Sequence, residues 1–530
     1  MVNILENLHF SADKSRPTSG GGFLLSGANV TVRLPFAPQR YLYHGWQSWS
    51  LAAWVETSFR VPVPKPSILH PMQIDPVHAS ETKPNGNWMG AVEIPDGNIL
   101  LLGSLSLDAH VELDGQDLRG HYEAGSGDWF VGVGKEAEVL GRYARMLDKK
   151  FGHGKIRTPY RVWCSWYSLY TEIYETQLGK VLTDLGDLPF DVFQVDDGWQ
   201  KAIGDWEPNA KFPSGMDRLA ARVKSTGRTA GLWLAPLLAA PSSELYQQHR
   251  DWLLHDERGR LVPAGFNWGE PLYALDLTHP GSQHWLAGLM KKVRGWGYDY
   301  LKLDFLYAGA LPGKHYEDMP REVAYRRGLQ VMREAMGNAY FLACGSPILP
   351  TLGLCDAMRG GADVGDIWVS LRDSVLLSNP TTPGGQNAVR TTLNRLWLAP
   401  ILHTDPDVAY FRTRLNRLTP EEKGLLQDLA LIANFKATSD LPAWWTPEER
   451  EQVRLWLEAR PTIKRTGRTT FKIDGRLVDF GPYINMPPLP EGRQKLTSNI
   501  VGVLGNQPLV MRVMDRLGKR ALKKTVKKNT

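Results

Sequence analysis

Cysteine is scarce in this chain, whose 530 residues include only Cys164, Cys344 and Cys355. Three cysteines cannot build a framework of paired disulfides, and their spacing is not that of a zinc site. Such a set is typical of a reducing compartment, so we expect a cytoplasmic protein. The N-terminus, MVNILENLHFSADK, carries Glu6 and Asp13 and lacks a long apolar run, so we expect no secretory signal.

Long apolar runs are also missing, since no segment offers the roughly 18 apolar residues that a membrane helix needs. The net charge of +6 is concentrated at the C-terminus, where the last fifteen residues, RLGKRALKKTVKKNT, hold seven Lys or Arg and no acid. We interpret this segment as a solvated basic tail. The sequence therefore favours neither a membrane nor a nucleic acid as partner, and it leaves open whether the protein forms a homo-oligomer.

The first part of the chain has the pattern of β-structure. MGAVEIPDGNILLLGSLSLDAHVEL contains two extended apolar segments around PDGN, which predicts a hairpin with Asp96 and Gly97 at its tip. Frequent turn residues favour a β-sandwich. EAEVLGRYARMLDKKFG then has helical spacing, with Val139, Tyr143, Met146 and Leu147 on one face. We predict an N-terminal β-sandwich domain with a linker helix over residues 1–155.

From about residue 157, short apolar runs such as DVFQVDDGW and YDYLKLDFLY alternate with amphipathic stretches such as QHWLAGLMKKVRGWG. This alternation indicates a (β/α)8 barrel or a doubly wound sheet. No Gly-rich phosphate fingerprint follows the first strand, which disfavours a nucleotide-binding fold. We predict the (β/α)8 TIM barrel over residues 156–455. RTTFKIDGRLVDFGP predicts a hairpin in a small C-terminal β-domain over residues 456–530, which includes the basic tail.

Polar and aromatic side chains come at the ends of these runs, where a barrel places its active site. The central runs lack His, which disfavours both a metal site and a serine nucleophile, so we expect no metal and no cofactor. Carboxylates with aromatic walls suit sugars, and glycoside hydrolysis needs two carboxyl groups flanking the anomeric carbon. The residues predicted to face one pocket are Trp166, Asp196, Asp197, Trp233, Asp304, Arg359 and Asp363.

Several motifs in the same order resemble those of glycoside hydrolase family 36, the α-galactosidases. They are HGWQSWS at 44–50, VDDGW at 195–199, GLWLAP at 231–236, YLKLDF at 300–305 and CGSPILPTLGLCDAMRGGADVGDIW at 344–368. The resemblance implies an N-terminal β-supersandwich, a catalytic barrel and a C-terminal β-domain. The chain length and CGSP resemble the short bacterial and archaeal members.

The resemblance assigns the chemistry residue by residue. Asp304 matches the nucleophile and Asp363 the general acid/base, although Asp366 is a nearby competitor for the acid role. Arg359 should depress the pKa of a neighbouring acid, so we expect it to point mainly at the nucleophile or at the sugar 2-hydroxyl. Lys302 lies two residues before Asp304 on the same strand face, and we expect it to donate to a sugar hydroxyl and keep Asp304 ionised.

The remaining matches would bind the sugar. Asp196 and Asp197 resemble the pair that grips the 4- and 6-hydroxyls, which requires the strand end to relax so that both point inward. Trp166 and Trp233 match pocket walls, Cys344 and Gly345 match residues beside the 2-hydroxyl, and the resemblance implies that either Trp46 or Trp49 reaches over the pocket. HTDPD at 403–407 resembles a family segment near the end of the barrel, without an assigned chemistry.

The prediction is a retaining exo-α-galactosidase acting on terminal α-linked galactose, in oligosaccharides such as melibiose and raffinose. An α-N-acetylgalactosaminidase or an α-galactosyl transferase on the same fold is the alternative within the enzyme class. A catalytically inactive sugar-binding relative is the alternative outside that class, although the presence of both Asp304 and Asp363 argues against it.

Overall fold

The structure of the chain is a computed structural model, which describes residues 8–18, 21–60, 70–152, 159–370 and 381–486, together with residue 513. The basic tail and most of the predicted C-terminal β-domain beyond residue 486 lie outside the described residues. The fold is a multidomain α/β arrangement, in which a mainly antiparallel sheet comes before a parallel one.

The N-terminal part is a sheet of twelve strands. Its order is β1-β4-β11-β10-β7-β5-β8-β9-β12-β3-β2, with β6 paired to β5, and all pairs except β5–β7 are antiparallel. The predicted PDGN hairpin is present as β8–β9. The strands are β1 (His9–Ser11), β2 (Lys14–Pro17), β3 (Phe23–Gly27), β4 (Asn29–Arg33), β5 (Arg40–His44), β6 (Ala52–Glu56), β7 (Asn85–Asn87), β8 (Met89–Glu93), β9 (Ile99–Ser104), β10 (Ala109–Asp114), β11 (Asp117–Tyr122) and β12 (Gly127–Gly134).

The predicted linker helix is α1 (Glu136–Phe151), which follows this sheet. Its buried face contains Val139, Tyr143 and Leu147, as the spacing indicates, but Leu140 is buried where Met146 is only half-buried. The hydroxyl of Tyr143 donates to the carbonyl of Ser104 at 2.7 Å, so the helix is tied to β9 by a polar bond as well as by packing.

Among the described residues, the second part has eight parallel strands in the order β24-β23-β22-β21-β17-β14-β13-β25, with helices between them. All the strands of this part are β13 (Arg161–Cys164), β14 (Val192–Val195), β15 (Gln200–Ala202), β16 (Asp205–Pro208), β17 (Thr229–Leu234), β18 (Leu238–Ala239), β19 (Pro263–Asn267), β20 (Glu270–Ala274), β21 (Tyr300–Leu303), β22 (Tyr340–Ala343), β23 (Ala357–Arg359), β24 (His403–Asp405) and β25 (Lys436–Thr438).

The helices of this part are α2 (Trp166–Leu169), α3 (Glu175–Leu185), α4 (Met216–Lys224), α5 (Glu244–Gln248), α6 (Pro280–Gly295), α7 (Arg321–Met336), α8 (Ile348–Thr351), α9 (Gly385–Leu393), α10 (Pro420–Ile432) and α11 (Pro447–Glu458). The predicted boundary between residues 455 and 456 falls in the last turn of α11, because that helix continues to Glu458.

The parallel sheet is curled, because a hydrogen bond connects its two edge strands, β24 and β25. β13 pairs with β25 as well as with β14. The amide of Ala409, just after β24, donates to the carbonyl of Ala437 on β25 at 2.8 Å. Every residue of β14 and β21 is buried, as expected for parallel strands covered on both faces.

Two small sheets are inserted at the carboxyl ends of these strands. β15 and β16 form a hairpin directly after the end of β14. β19 pairs with β20, and β20 pairs with β18, so a three-stranded sheet stands between β17 and α6. Both insertions lie at the edge of the parallel sheet where a strand-end site forms.

Arg395 joins the N-terminal sheet to the parallel sheet. Its guanidinium is fully buried and donates to four carbonyls, those of Gly45, Ser48, Ser50 and Gly360, at 3.0–3.1 Å. Three of these carbonyls belong to the HGWQSWS segment. Because each buried carbonyl needs a donor, Arg395 holds this segment at the edge of the parallel sheet.

The described C-terminal residues form a three-stranded antiparallel sheet of β26 (Ile463–Arg465), β27 (Thr470–Ile473) and β28 (Arg476–Asp479). The hairpin predicted around DGR is present as β27–β28. Its turn contains Asp474 and Gly475, both with positive φ.

Candidate active site

The predicted site residues come from neighbouring strands and lie near or just after their carboxyl ends. Trp166 begins α2 just after β13, and Asp196 follows β14. Trp233 lies in β17 and Lys302 in β21, while Asp304 follows β21. Cys344 and Gly345 follow β22, Arg359 ends β23, and Asp363 lies in the loop after it. Because the strands are parallel, these side chains share one edge of the sheet.

Asp304 is half-buried and held by two N–H donors. The indole of Trp233 donates to its Oδ2 at 3.1 Å, and the amide of Phe305 donates to its Oδ1 at 2.8 Å. Its own amide donates to the carbonyl of Leu234 at 2.8 Å, so the end of β21 stays attached to β17. The carboxylate is thereby fixed in one orientation while part of it stays accessible, as a nucleophile requires.

Asp363 belongs to an ionic network centred on Arg359. The guanidinium contacts Asp363 at 3.2 Å, Asp405 at 2.9 Å and Asp407 at 3.0 Å. Asp407 also accepts hydrogen bonds from the hydroxyl of Tyr167 and, at 2.9 Å, from the amide of Val364. One cation therefore faces three carboxyl groups, and its two shorter contacts are to Asp405 and Asp407.

This network bears on the protonation of Asp363. Burial raises the pKa of Asp363, and the charge of Asp304 raises it as well. Arg359 and Lys302 lower this pKa, but the net direction is upward. Burial likewise raises the pKa of Asp407, to about 7. The expected depression of Asp363 by Arg359 is thus overcome, because burial outweighs a cation whose charge is shared with Asp405 and Asp407.

Asp366, the sequence-level competitor for the acid role, lies in a different environment. It forms an ion pair at 2.8 Å with Arg417, whose side chain is 68% exposed. The structure therefore brings Asp363, not Asp366, into contact with Arg359.

Asp196 and Lys302 form a buried ion pair with a distance of 2.9 Å between Oδ2 and Nζ. The same oxygen accepts hydrogen bonds from Gln194 at 2.7 Å and Cys164 at 3.4 Å. Although burial lowers the pKa of Lys302, the charge of Asp196 raises it overall. Asp196 is thus a charged partner of Lys302 that the sequence did not predict, while the expected roles of Lys302 toward Asp304 and a sugar hydroxyl stay predictions.

Asp197 is also buried, but it points to another set of partners. Its Oδ1 accepts a hydrogen bond from Gln200 at 2.6 Å, and its Oδ2 accepts one from the indole of Trp268 at 2.7 Å. Burial raises its pKa to about 6, against the two hydrogen bonds that lower it. The strand end thus presents both carboxyl groups inside the protein, one paired with a cation and the other with neutral donors.

Aromatic side chains lie beside these groups. Trp233 is buried, and its ring centroid lies 6.2 Å from that of Trp268. Trp166 is half-buried with its ring edge-on to Tyr170 at 5.2 Å. The two other candidates differ in exposure. Trp46 is 1% exposed, and its indole donates to the carbonyl of Pro71, whereas Trp49 is half-buried.

Gly345 and Cys344 lie close to the nucleophile candidate. Gly345 has φ 55°, and a Cβ added there would come within 3.3 Å of the Phe305 backbone and 3.5 Å of Oδ1 of Asp304, so a side chain would crowd this place. The amide of Gly345 donates to the hydroxyl of Ser48 at 3.1 Å, which connects the HGWQSWS segment to it. Cys344 is buried, and burial raises the pKa of its thiol.

Sequence reasoning missed several polar members of this site. HTDPD supplies Asp405 and Asp407, and it was matched to the family without being given a role. Gln194 and Gln200 flank the Asp196–Asp197 pair in the chain, which was a usable signal. Trp268 belongs to an inserted hairpin, and nothing in its local sequence pointed to Asp197.

One group of side chains elsewhere has the composition of a metal site. Among the described residues, Asp75, His78 and Glu123 are the cluster whose ligand atoms lie within 4.8 Å of one another. Arg321 donates to both carboxylates, to Asp75 at 2.8 Å and to Glu123 at 2.6 Å. Arg321 thus already supplies a positive charge to both carboxylates.

None of the helices in the described ranges is long and apolar enough to cross a membrane.

Comparison with known proteins finds similarity to α-galactosidases. A family model described as Melibiase matches residues 123–335. The α-galactosidase of Thermus thermophilus in complex with p-nitrophenyl α-D-galactopyranoside is 45% identical, with a TM-score of 0.86 over 90% of this chain and 97% of that one.

More distant relatives are matched in part. The α-galactosidase AgaA of Geobacillus stearothermophilus is 34% identical over 99 residues, which are 17% of this chain and 14% of that protein. A structure of an AgaA variant in complex with raffinose shares the fold, with 16% identity and a TM-score of 0.57 over 85% of this chain and 65% of that one. The chain matches less than a third of the length of its curated relatives.

Proposed function

Because the chain belongs to glycoside hydrolase family 36, the α-galactosidases, we propose that it releases terminal α-linked galactose with retention of configuration. The observation that carries the proposal is the contrast between two carboxyl groups at one sheet edge. Both are half-buried, but Asp304 is held by two N–H donors, while Asp363 contacts Arg359 and has a raised pKa. Two carboxyl groups in different environments are what a glycosidase needs for its nucleophile and its acid.

In the first step, a carboxylate oxygen of Asp304 attacks the anomeric carbon, and the glycosidic C–O bond breaks. Asp363 transfers its proton to the departing oxygen, which leaves as an alcohol. The raised pKa of Asp363 favours the protonated form that this step needs. The product of this step is a β-galactosyl ester of Asp304.

In the second step, Asp363 is ionised and acts as a base. It accepts a proton from water, whose oxygen attacks the anomeric carbon on the face that the leaving group vacated. The bond to Asp304 breaks, and galactose leaves in the α-configuration. Arg359 contacts Asp363 in both steps and stabilises its ionised form in the second.

The sugar is proposed to lie between the Asp196–Asp197 pair and Gly345. Carboxylates that accept from the 4- and 6-hydroxyls would select galactose over glucose, because the wrong epimer leaves a buried acceptor unpaired. The lack of a side chain at Gly345 leaves room beside Asp304 for the 2-hydroxyl. Trp166 and Trp233 are proposed pocket walls, and of the two N-terminal candidates we assign Trp49 to the rim, because Trp46 is buried.

The domain architecture belongs to the same proposal. We infer that the curled parallel sheet is a (β/α)8 barrel over about residues 156–455, preceded by a β-supersandwich and followed by a small β-domain. We propose terminal α-galactosides such as melibiose and raffinose as substrates. The relative from Thermus thermophilus was also solved with stachyose, which supports this substrate class. A cytoplasmic location is proposed from the three free, buried cysteines.

A panel of nitrophenyl glycosides with the purified protein tests the proposal. We expect the α-galactoside to be hydrolysed far faster than the α-glucoside, the β-galactoside or the α-N-acetylgalactosaminide. Proton NMR of the first product should show the α-anomer of galactose. Faster turnover of the N-acetyl analogue would instead assign an α-N-acetylgalactosaminidase, and a first-formed β-anomer would refute retention. Binding of galactose without turnover of any substrate would indicate an inactive sugar-binding relative.

A further inference from the structure

Trp268 occupies a backbone conformation that is uncommon for a large side chain. It forms the two-residue loop between β19 and β20 together with Gly269, and the φ angles of the pair are 52° and 82°. Two positive φ angles define a type I′ turn, in which Asn-Gly is the preferred pair. A bulky residue there is disfavoured sterically, and such strained positions cluster at functional sites.

The side chain of this residue reaches the candidate active site. Its indole Nε1 donates to Oδ2 of Asp197 at 2.7 Å. Its ring centroid lies 6.2 Å from that of Trp233 and 5.2 Å from that of Phe305, which follows Asp304. Trp268 is half-buried, so part of its ring remains accessible. The hairpin thus brings an aromatic ring and an N–H donor to the carboxyl ends of the parallel strands.

Asp197 depends on neutral donors for its orientation. Lys302 forms its ion pair with Asp196, while Asp197 accepts from Gln200 at 2.6 Å and from Trp268. Each oxygen of Asp197 therefore has one protein donor and keeps a second lone pair. A sugar hydroxyl donates to that lone pair with better alignment when the carboxylate is held at a fixed angle.

We propose that Trp268 is a positioning residue for substrate recognition, which orients Asp197 toward a hydroxyl of the terminal galactose. The assignment deepens the proposed function and rests on it. The left-handed turn fits this role, because it aims the indole N–H at Asp197 from an insertion outside the parallel sheet. The alternative is that Trp268 only packs against Trp233 and Phe305.

Trp268→Phe separates the two roles, because it keeps an aromatic ring and removes the N–H. We expect kcat/KM for p-nitrophenyl α-galactoside to fall by about 10- to 100-fold, the usual worth of a hydrogen bond to a charged group. Because an ill-oriented Asp197 weakens the hold on the sugar, KM should rise. Trp285→Phe, a half-buried tryptophan on α6, is the matched control and should keep wild-type kinetics.

Deoxy substrates test whether the effect passes through Asp197. The 4-deoxy and 6-deoxy p-nitrophenyl α-galactosides each lack one of the hydroxyls that the Asp196–Asp197 pair would hold. With the analogue that lacks the hydroxyl bound by Asp197, Trp268→Phe should cost less than about 3-fold, because the oriented contact is already missing. In an Asp197→Asn background, Trp268→Phe should likewise cost little.

The outcomes distinguish this inference from the proposed function. If the wild type hydrolyses the α-galactoside and Trp268→Phe does so equally well, the positioning role is refuted and the proposed function stands. An equal loss on the galactoside and both deoxy analogues would assign Trp268 to packing. Without wild-type activity on the α-galactoside, the proposed function itself fails. Trp268→Asn keeps a residue that tolerates the left-handed turn, and it should fold with a wild-type Tm while losing affinity.

Discussion

Nη2 of Arg359 lies 3.0 Å from Oδ1 of Asp407, inside a buried part of the candidate active site. The same guanidinium contacts Asp363 at 3.2 Å. Asp407 therefore shares the cation that would otherwise face the proposed acid alone. Burial raises the pKa of Asp363 beside this arginine, and the shared contact makes Asp407 a testable part of the proposed acid machinery.

Asp407→Asn should shift the alkaline limb of the plot of kcat/KM against pH. The acid role requires protonated Asp363, so activity is lost as pH rises through its pKa. Removing the charge of Asp407 removes a negative neighbour and leaves Arg359 more available to Asp363, and both changes lower that pKa. We expect the limb to move down by about 1 unit with melibiose. The effect requires ionised Asp407 in the wild type, so it should grow as pH rises through the Asp407 pKa of about 7. Asp366→Asn is the control, and an unchanged or upward-shifted limb would exclude the coupling.

Asp304→Gly should remove nearly all activity, by about 10⁴-fold, because no other group is proposed to attack the anomeric carbon. Azide should restore turnover of p-nitrophenyl α-galactoside by entering the space that the carboxylate leaves. The product should be β-galactosyl azide, identified by NMR. Wild-type turnover by Asp304→Gly would be incompatible with a nucleophilic role for Asp304. A rescue that yields the α-galactosyl azide would be incompatible with it as well.

Asp363→Ala should affect substrates according to their leaving groups. Sugar leaving groups need a proton, so the loss with melibiose should be about 10²–10⁴-fold. Dinitrophenolate leaves without a proton, so with a dinitrophenyl galactoside the first step should be nearly spared while the second step slows. Mass spectrometry should then find the galactosyl adduct on the protein. Asp366→Ala, which removes a carboxylate paired with exposed Arg417, should behave as wild type. Equal losses on both substrates without an adduct would move the acid role elsewhere.

Arg395→Leu should destabilise the protein. The substitution removes the donors of four buried carbonyls, three of them in the HGWQSWS segment. Since each unsatisfied group costs about 1–3 kcal/mol, we expect a loss of at least about 3 kcal/mol in the free energy of unfolding, measured by urea titration. Arg417→Leu, a change at an exposed ion pair, should cost about 1 kcal/mol or less. Similar stability of the two variants would rule out Arg395 as the link between the sheets.

Chelation should leave the activity unchanged. The proposed mechanism uses carboxyl groups only, and the two carboxylates of the Asp75–His78–Glu123 cluster are already bonded to Arg321. Activity on p-nitrophenyl α-galactoside should be the same before and after dialysis against EDTA. A complete loss that added divalent ions reverse would show that the protein needs a metal.

The sequence by itself determined the strands and the strand-end residues. Alternation of apolar runs with amphipathic stretches predicted the parallel strands, because strands covered on both faces must be apolar throughout. The PDGN and DGR turns predicted two hairpins that are present as β8–β9 and β27–β28. Asp304 and Asp363 were singled out because carboxyl ends of parallel strands meet at one edge of a sheet.

Only the tertiary structure decided which charges face one another. Lys302 is two residues from Asp304 in the chain, yet it pairs with Asp196 across the sheet edge. Asp407 and Trp268 are distant in sequence from the groups they contact, and no local pattern encodes those contacts. Ion pairs and hydrogen bonds depend on distances of about 3 Å between atoms from different strands. Such distances follow from the packing of all the strands and insertions together, which hydrophobic periodicity along one segment does not specify.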